Sequence, residues 1–261
     1  MTQGLIHIAG ALGSFGAHME LINGSCDAHG AAEVLVRKGL AWHCPKCLDA
    51  VLANEAHMKM MAQRVADLMQ AASIPSKYVD QKFVATSDEQ RAVRRTVQLY
   101  RDFILNNRAW AALVLVGKTG TGKTLLACEL AQSLMNRAAR SVHYITAKGM
   151  ISEIQANYGQ PGKSEEADIA RFAKYDVLVL DEIDAIPVKD NASLLLTEIV
   201  NRRYNENKPV IAISNQPFDH LARFVGERVH SRLHENSFSC ACNWGDARRV
   251  RQPVGAEVAA C

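Results

Sequence analysis

Gly117-Lys118-Thr119-Gly120-Thr121-Gly122-Lys123-Thr124 fills the pattern G-x-x-x-x-G-K-[ST] without a mismatch. Glycines at these positions let the backbone turn its N–H groups inward around phosphate oxygens, at the positive end of a following helix. Lys123 is placed to reach the β- and γ-phosphates of ATP, and the Thr124 hydroxyl to ligate Mg²⁺. A second acidic signal, Asp181-Glu182, closes the apolar run Val177–Leu180. Asp181 is expected to hold Mg²⁺, directly or through water, and Glu182 to polarise the attacking water as a general base. Asn215, after Val210–Ile213, is expected to orient water and sense the γ-phosphate, although Ser-Asn is also ordinary turn chemistry. Arg228 and Arg232 stand four residues apart on one helical face, where an arginine can enter a neighbouring subunit's site. A surface helix would carry the same two arginines in solvent.

A different chemistry is written near the start. Cys26 and His29, then fourteen residues, then Cys44 and Cys47 form two chelating pairs, C-x₂-H and C-x₂-C. Three thiolates and one imidazole suit a tetrahedral Zn²⁺ with no position left open for catalysis. His43 is a rival ligand, poorly placed beside Cys44. The chain has seven cysteines, an odd number, and no apparent secretory signal, so a metal site is expected rather than a disulfide framework.

These residues need elements to position them. Leu48 to Ala72 repeats apolar residues at spacings of three, four and seven and predicts an amphipathic helix ended by Pro75. Its methionines, Met58, Met60 and Met61, suit an adaptable contact surface. Ser87 with Gln90 offers a capping box for a helix to about Leu105. Ala111–Val116, Ser141–Ile145, Val177–Leu180 and Pro209–Ile213 read as strands, with Ser237–Cys242 as a last short one. Thr124–Arg137, Met150–Tyr158 and Asn191–Tyr204 read as helices between them. Strands alternating with helices predict an α/β fold with a largely parallel sheet covered on both faces. Residues 1–24, poor in charge and rich in glycine, are expected to be flexible or partner-dependent. The expected division is a partner-binding module over 1–72, a linker over 73–86 and the ATPase domain over 87–261.

Composition limits the alternatives. At 261 residues and 48 % apolar content the chain can bury one mid-sized core beside a small module. A net charge of +3 permits nucleic-acid binding without arguing for it. No run approaches the roughly 20 apolar residues of a membrane helix, and a cytoplasmic location with no membrane partner is expected.

Taken together the motifs resemble the AAA+ ATPases, and within them the DnaC-type replicative helicase loaders. The resemblance runs from about Ile74 to Arg249 and rests on Gly117–Thr124, Asp176–Ile183, the approach from Asn201 to Asn215, and Gly226–Leu233. It implies an AAA+ P-loop NTPase core preceded by a small zinc-binding module and a helix. Arg232 matches the arginine finger, with Arg228 on the same helix, and Arg248 falls near the sensor-2 region as a further nucleotide contact. Such loaders hold the hexameric DnaB-type helicase through an N-terminal region, self-associate with nucleotide and help place the helicase on single-stranded DNA. Lys148, Gln155 and Tyr158 would offer contacts to that strand. IstB-like helpers of transposition, which bind duplex DNA, share much of this core and are the competing reading. A metal-dependent DNA-binding module with a decayed ATPase is a third, opposed by the intact Lys123, Thr124, Asp181 and Glu182.

Overall fold

The computed structural model describes residues 19–186 and 191–246. The chain divides into two units, up to Gln63 and from Arg64 onward.

The first unit is built from a hairpin and a helix. Strands β1 (Met19–Cys26) and β2 (Gly30–Arg37) pair antiparallel, from Met19 opposite Arg37 to Cys26 opposite Gly30. Helix α1 (Pro45–Ala71) follows, and its last residues belong to the second unit. The expectation of a segment without fixed structure over 1–24 is therefore corrected for residues 19–24. Pairing with β2 satisfies the backbone groups that face it, and Gly24 serves packing rather than freedom. A Cβ on it would lie 2.2 Å from the ring of Trp42, whose indole N–H donates to the Ala32 carbonyl at 3.1 Å. Residues 1–18 lie outside the described residues. No residue of α1 is fully buried, and Met58 and Met60 are 62 % and 70 % exposed.

The second unit is a three-layer α/β fold. Its sheet has five parallel strands in the order β4-β5-β6-β3-β7. They are β3 (Ala112–Gly117), β4 (Val142–Thr146), β5 (Val177–Asp181), β6 (Val210–Ser214) and β7 (Ser237–Cys242). Leu113, Leu115, Leu178, Leu180 and Ile211 are completely or almost completely shielded, as expected of strands covered on both faces. One face packs α2 (Asp88–Asn106) and α3 (Lys123–Ala138). The other packs α4 (Ala147–Ala156), α5 (Glu165–Lys174), α6 (Asn191–Asn205), α7 (Ala222–Val225) and α8 (Glu227–His234).

Local chemistry explains the helix limits. Ser87 accepts from the Gln90 backbone N–H, and the Gln90 side chain accepts from the Ser87 N–H, so the capping box forms as expected. Helix α5 escaped the sequence reading. Its signals were a Ser164 N-cap that accepts from the Ala167 N–H, three acids in the first turn and Ile169, Phe172 and Ala173 buried on one side. Residues 73–86 run along α3, with the Asp80 N–H donating to Gln132 and the Phe83 N–H to Glu129.

At the opposite end of the sheet from the glycine loop, Arg203 of α6 is fully buried. Its guanidinium donates to the carbonyls of Phe172, Ala173, Tyr175, Asp176 and Pro209 at 2.7–3.3 Å. Five acceptors serve its two terminal nitrogens, while Nε is buried with no hydrogen-bond partner among the described residues and burial pulls the pKa down to about 9.

Candidate functional site

Three strand ends meet at one cavity of about 300 Å³. The β3–α3 loop lines it with Thr119, Gly120, Gly122, Lys123 and Thr124, β5 with Asp181 and Glu182, and β6 with Ser214 and Asn215. Ligands of open α/β sheets sit at such carboxyl ends, and the sequence-derived nucleotide residues converge there. Gly117 and Thr121 belong to the same loop, and Lys118 contributes its carbonyl to it.

The loop is left-handed where it must turn: Gly120 and Gly122 have φ of +86° and +91°. It is also held from behind. The Trp244 indole N–H donates to the Thr121 carbonyl at 2.8 Å, and Phe83 lies 3.0 Å from where a Cβ on Gly122 would stand. The Asp246 carboxylate abuts Gly120 closely enough that a side chain there would collide with it. Lys123, 5 % exposed, donates to the carbonyls of Gly117 (2.6 Å) and Lys118 (2.9 Å) and to Asn215 Oδ1 (3.1 Å). The Asn215 amide and the loop lysine are thus already in contact.

Asp181 is buried at the end of β5, and three donors fix its carboxylate. Thr124 Oγ1 and the Tyr144 hydroxyl donate to Oδ2 at 2.9 and 2.7 Å, and the Glu182 N–H donates to Oδ1 at 2.8 Å. Burial, then the charge of Asp181, pushes the Tyr144 phenol far above its usual range, so it stays a donor. Glu182 adopts a left-handed φ of +52°, a conformation that costs a non-glycine residue about 1 kcal/mol or more. Backbone strain of this kind, next to the P-loop, fits a carboxylate aimed at a ligand. The Asn215 N–H donates to Asp184 Oδ1 at 3.3 Å.

These donors fit a triphosphate and its Mg²⁺: glycine backbone without side chains, one buried ammonium, one hydroxyl and a carboxylate. Sequence reasoning missed four further cavity residues, Lys77, Tyr78, Gln81 and Lys82. They come from the stretch expected to be a linker, and no motif distinguishes them there.

Arg228 and Arg232 line a separate surface hollow with Asn201, Glu227 and Ser231, and neither lines the P-loop cavity of its own chain. The Arg232 guanidinium stacks 3.9 Å from the Tyr204 ring centre and pairs with Glu235 at 3.8 Å. Lys148, Gln155 and Tyr158 are exposed, and the Tyr158 hydroxyl donates to Glu165. Arg248 lies outside the described residues.

In the first unit, Cys26, His29, Cys44 and Cys47 bring their ligand atoms within 4.8 Å of one another. Cys26 Sγ lies 3.7 Å from Cys47 Sγ, and His29 Nδ1 lies 3.5 and 3.3 Å from the sulfurs of Cys44 and Cys47. A tetrahedron with Zn–S bonds of about 2.3 Å has edges of about 3.7 Å, so the set fits Zn²⁺. The first pair sits in the β1–β2 turn, where His29 N–H donates to Cys26 carbonyl, and the second opens α1. His43 is turned to the Ala41 carbonyl instead. Backbone hydrogen bonds from Ala28 and His29 pull Cys26 down to about 6, while its sharing with Cys26 pushes Cys47 up to about 11.

Comparison with known proteins agrees with this geometry. The family described as IstB-like ATP binding protein matches residues 31–232. The replicative helicase loader DnaC of Escherichia coli K12 is 30% identical over 139 residues, 53% of this chain and 56% of the relative. The chain therefore spans little more than half the length of that relative. DnaC of Buchnera aphidicola subsp. Baizongia pistaciae is 26% identical over 204 residues, covering 77% of this chain and 80% of that one. Among solved structures, the DnaC helicase loader superposes with a TM-score of 0.58 at 21% identity, over 64% of this chain and 99% of the other. The fold is that of an AAA+ P-loop core, as the resemblance implied, and the likeness to DnaC-type loaders holds. Among the described residues no helix is long and apolar enough to cross a membrane.

Proposed function

This chain belongs to the family of IstB-like ATP-binding proteins, and we propose that it is an ATPase that loads a DnaB-type replicative helicase onto single-stranded DNA. The observation that carries the ATPase reading is the meeting of Lys123, Thr124, Asp181, Glu182 and Asn215 around one cavity. The loader reading is supported by the Buchnera match, which extends over 204 residues and so beyond the glycine loop and acidic motif.

In this reading the loop N–H groups and Lys123 bind the β- and γ-phosphates, and Thr124 and Asp181 hold Mg²⁺, which supplies charge neutralisation on the phosphates. Glu182 orients a water and takes its proton as the water oxygen bonds to the γ-phosphorus. The bond from that phosphorus to the β,γ-bridging oxygen breaks, leaving ADP and phosphate. Asn215, hydrogen-bonded to Lys123, links the γ-phosphate position to β6. Arg232, with Arg228 beside it, acts on a neighbouring copy's site, since neither reaches its own. ATP is a switch here: binding orders an oligomer on the single strand and hydrolysis frees the loader from the helicase. The zinc module and α1, with exposed Met58 and Met60, form the helicase-facing region.

The test is capture of purified DnaB-type helicase by the full chain, with and without ATP, followed by helicase loading on single-stranded DNA. A complex that loads supports the reading. No complex under either condition sinks it and leaves the transposition-helper reading of the same ATPase family.

A further inference from the structure

The geometry points to Tyr144 as a positioning residue for the Mg²⁺-linked carboxylate Asp181, and this inference rests on the ATPase reading above. Tyr144 lies on β4 two residues before Thr146, which pairs with Asp181 in register. Its ring packs on the sheet face covered by α3, the helix that opens with Lys123 and Thr124. From there its hydroxyl reaches Asp181 Oδ2 at 2.7 Å, the same oxygen that Thr124 Oγ1 reaches at 2.9 Å. Tyr144 does not line the nucleotide cavity, so it acts only through Asp181.

A carboxylate offers about four lone-pair sites. Three are taken: two on Oδ2 by the hydroxyls of Thr124 and Tyr144, one on Oδ1 by the Glu182 N–H. One site, on Oδ1, has no partner among the described residues, and Asp181 itself lines the cavity. Thr124 can keep its O–H on Asp181 while a lone pair of the same oxygen faces a metal, because a hydroxyl donates once and accepts twice. Tyr144 therefore leaves Asp181 a single orientation and a single outlet. A hydrogen bond to a charged group in a dry site has geometric as well as energetic weight, and its loss frees the carboxylate to turn.

The consequence is a Mg²⁺ dependence set partly from outside the cavity. Tyr144→Phe keeps the ring and its packing and removes only the donor. ATP binding is measured by calorimetry on the full chain, in EDTA and across a Mg²⁺ series, alongside the thermal midpoint. The expected result is unchanged ATP affinity in EDTA, with the Mg²⁺ concentration for half-maximal enhancement raised about tenfold, one charged hydrogen bond's worth. Tyr144→Leu, which also loses ring packing, should match that Mg²⁺ shift while lowering the thermal midpoint. A Mg²⁺ dependence in Tyr144→Phe equal to wild type, or tighter, overturns the inference and leaves the ATPase reading intact. A wild-type chain that binds no ATP with or without Mg²⁺ overturns both.

Discussion

Glu182 and Arg203 show two ways a single side chain carries weight in this protein. Glu182 is held in a left-handed backbone by its neighbour's carboxylate, at the mouth of the cavity. Glu182→Gln removes the base and keeps the shape, so ATP affinity should persist while turnover falls by about 10²-fold or more. Steady-state hydrolysis and equilibrium ATP binding check this together, and undiminished turnover would remove Glu182 from the role. Arg203 does its work at the far end of the sheet. Five carbonyls accept from it there, and the charges of Asp176 and Glu206 act on it without a direct ion pair among the described residues. Arg203→Met has a comparable volume but removes that donor from all five, leaving Pro209 only the Leu178 N–H at 3.4 Å, and a loss of about 3–5 kcal/mol in urea unfolding is expected. A loss below about 1 kcal/mol would mean that water or rearrangement satisfies them.

Between these points the strands and helices decide what a motif becomes. The two zinc pairs are far apart in sequence, and the hairpin turn and the first turn of α1 bring them together. Cys44→Ser should release the metal and with it the hairpin from the helix, seen as zinc loss by metal analysis and reduced protection of 19–37 in hydrogen exchange. One tightly held zinc per chain in the variant would count against the site. Much of this was legible beforehand. Strands β3, β5 and β6 could be read because β-branched and leucine-rich runs buried on both faces leave few alternatives, and the Ser87 box because capping chemistry is local. The hairpin was not, since glycines at 10, 13, 16 and 24 looked like slack until Trp42 gave Gly24 a reason. Helix α5 was hidden because its polar first turn lowered the apolar signal, and the cavity wall from Lys77 to Lys82 because a loop carries no period. Tyr144 reads as one more strand residue. Its meaning appears only when β4 lies beside β5.

Assembly and pH act on the molecule entire. If Arg232 completes a neighbour's site, Arg232→Ala and Lys123→Ala chains should each fail alone and regain part of the ATPase rate when mixed. One supplies an intact P-loop, the other an intact arginine. No recovery on mixing would place the arginine's effect within its own subunit. Acid stability is the second case. Burial first, then Arg171, lowers the pKa of His143 below its ordinary 6.5, against opposing contributions from the Ala71 backbone and Glu153; Tyr175 stacks on its ring at 4.7 Å. The unfolded chain then binds the proton more readily than the folded one, so the contribution is full above 6.5 and fades as pH falls below it. Urea midpoints between pH 7.5 and 5.5 should fall, and fall less in His143→Gln. Equal slopes would assign the acid sensitivity elsewhere.

The three tryptophans of the chain stand at three different working parts. Trp42 lies on the hairpin beside the cysteine cluster, Trp110 donates to the carbonyls of Arg232 and Glu235 at the end of α8, and Trp244 to the glycine loop. Variants retaining one indole each would turn the protein into its own set of optical gauges. Emission from one would report metal arrival, from another subunit docking, and from the third nucleotide entry, each on its own clock and without an attached dye.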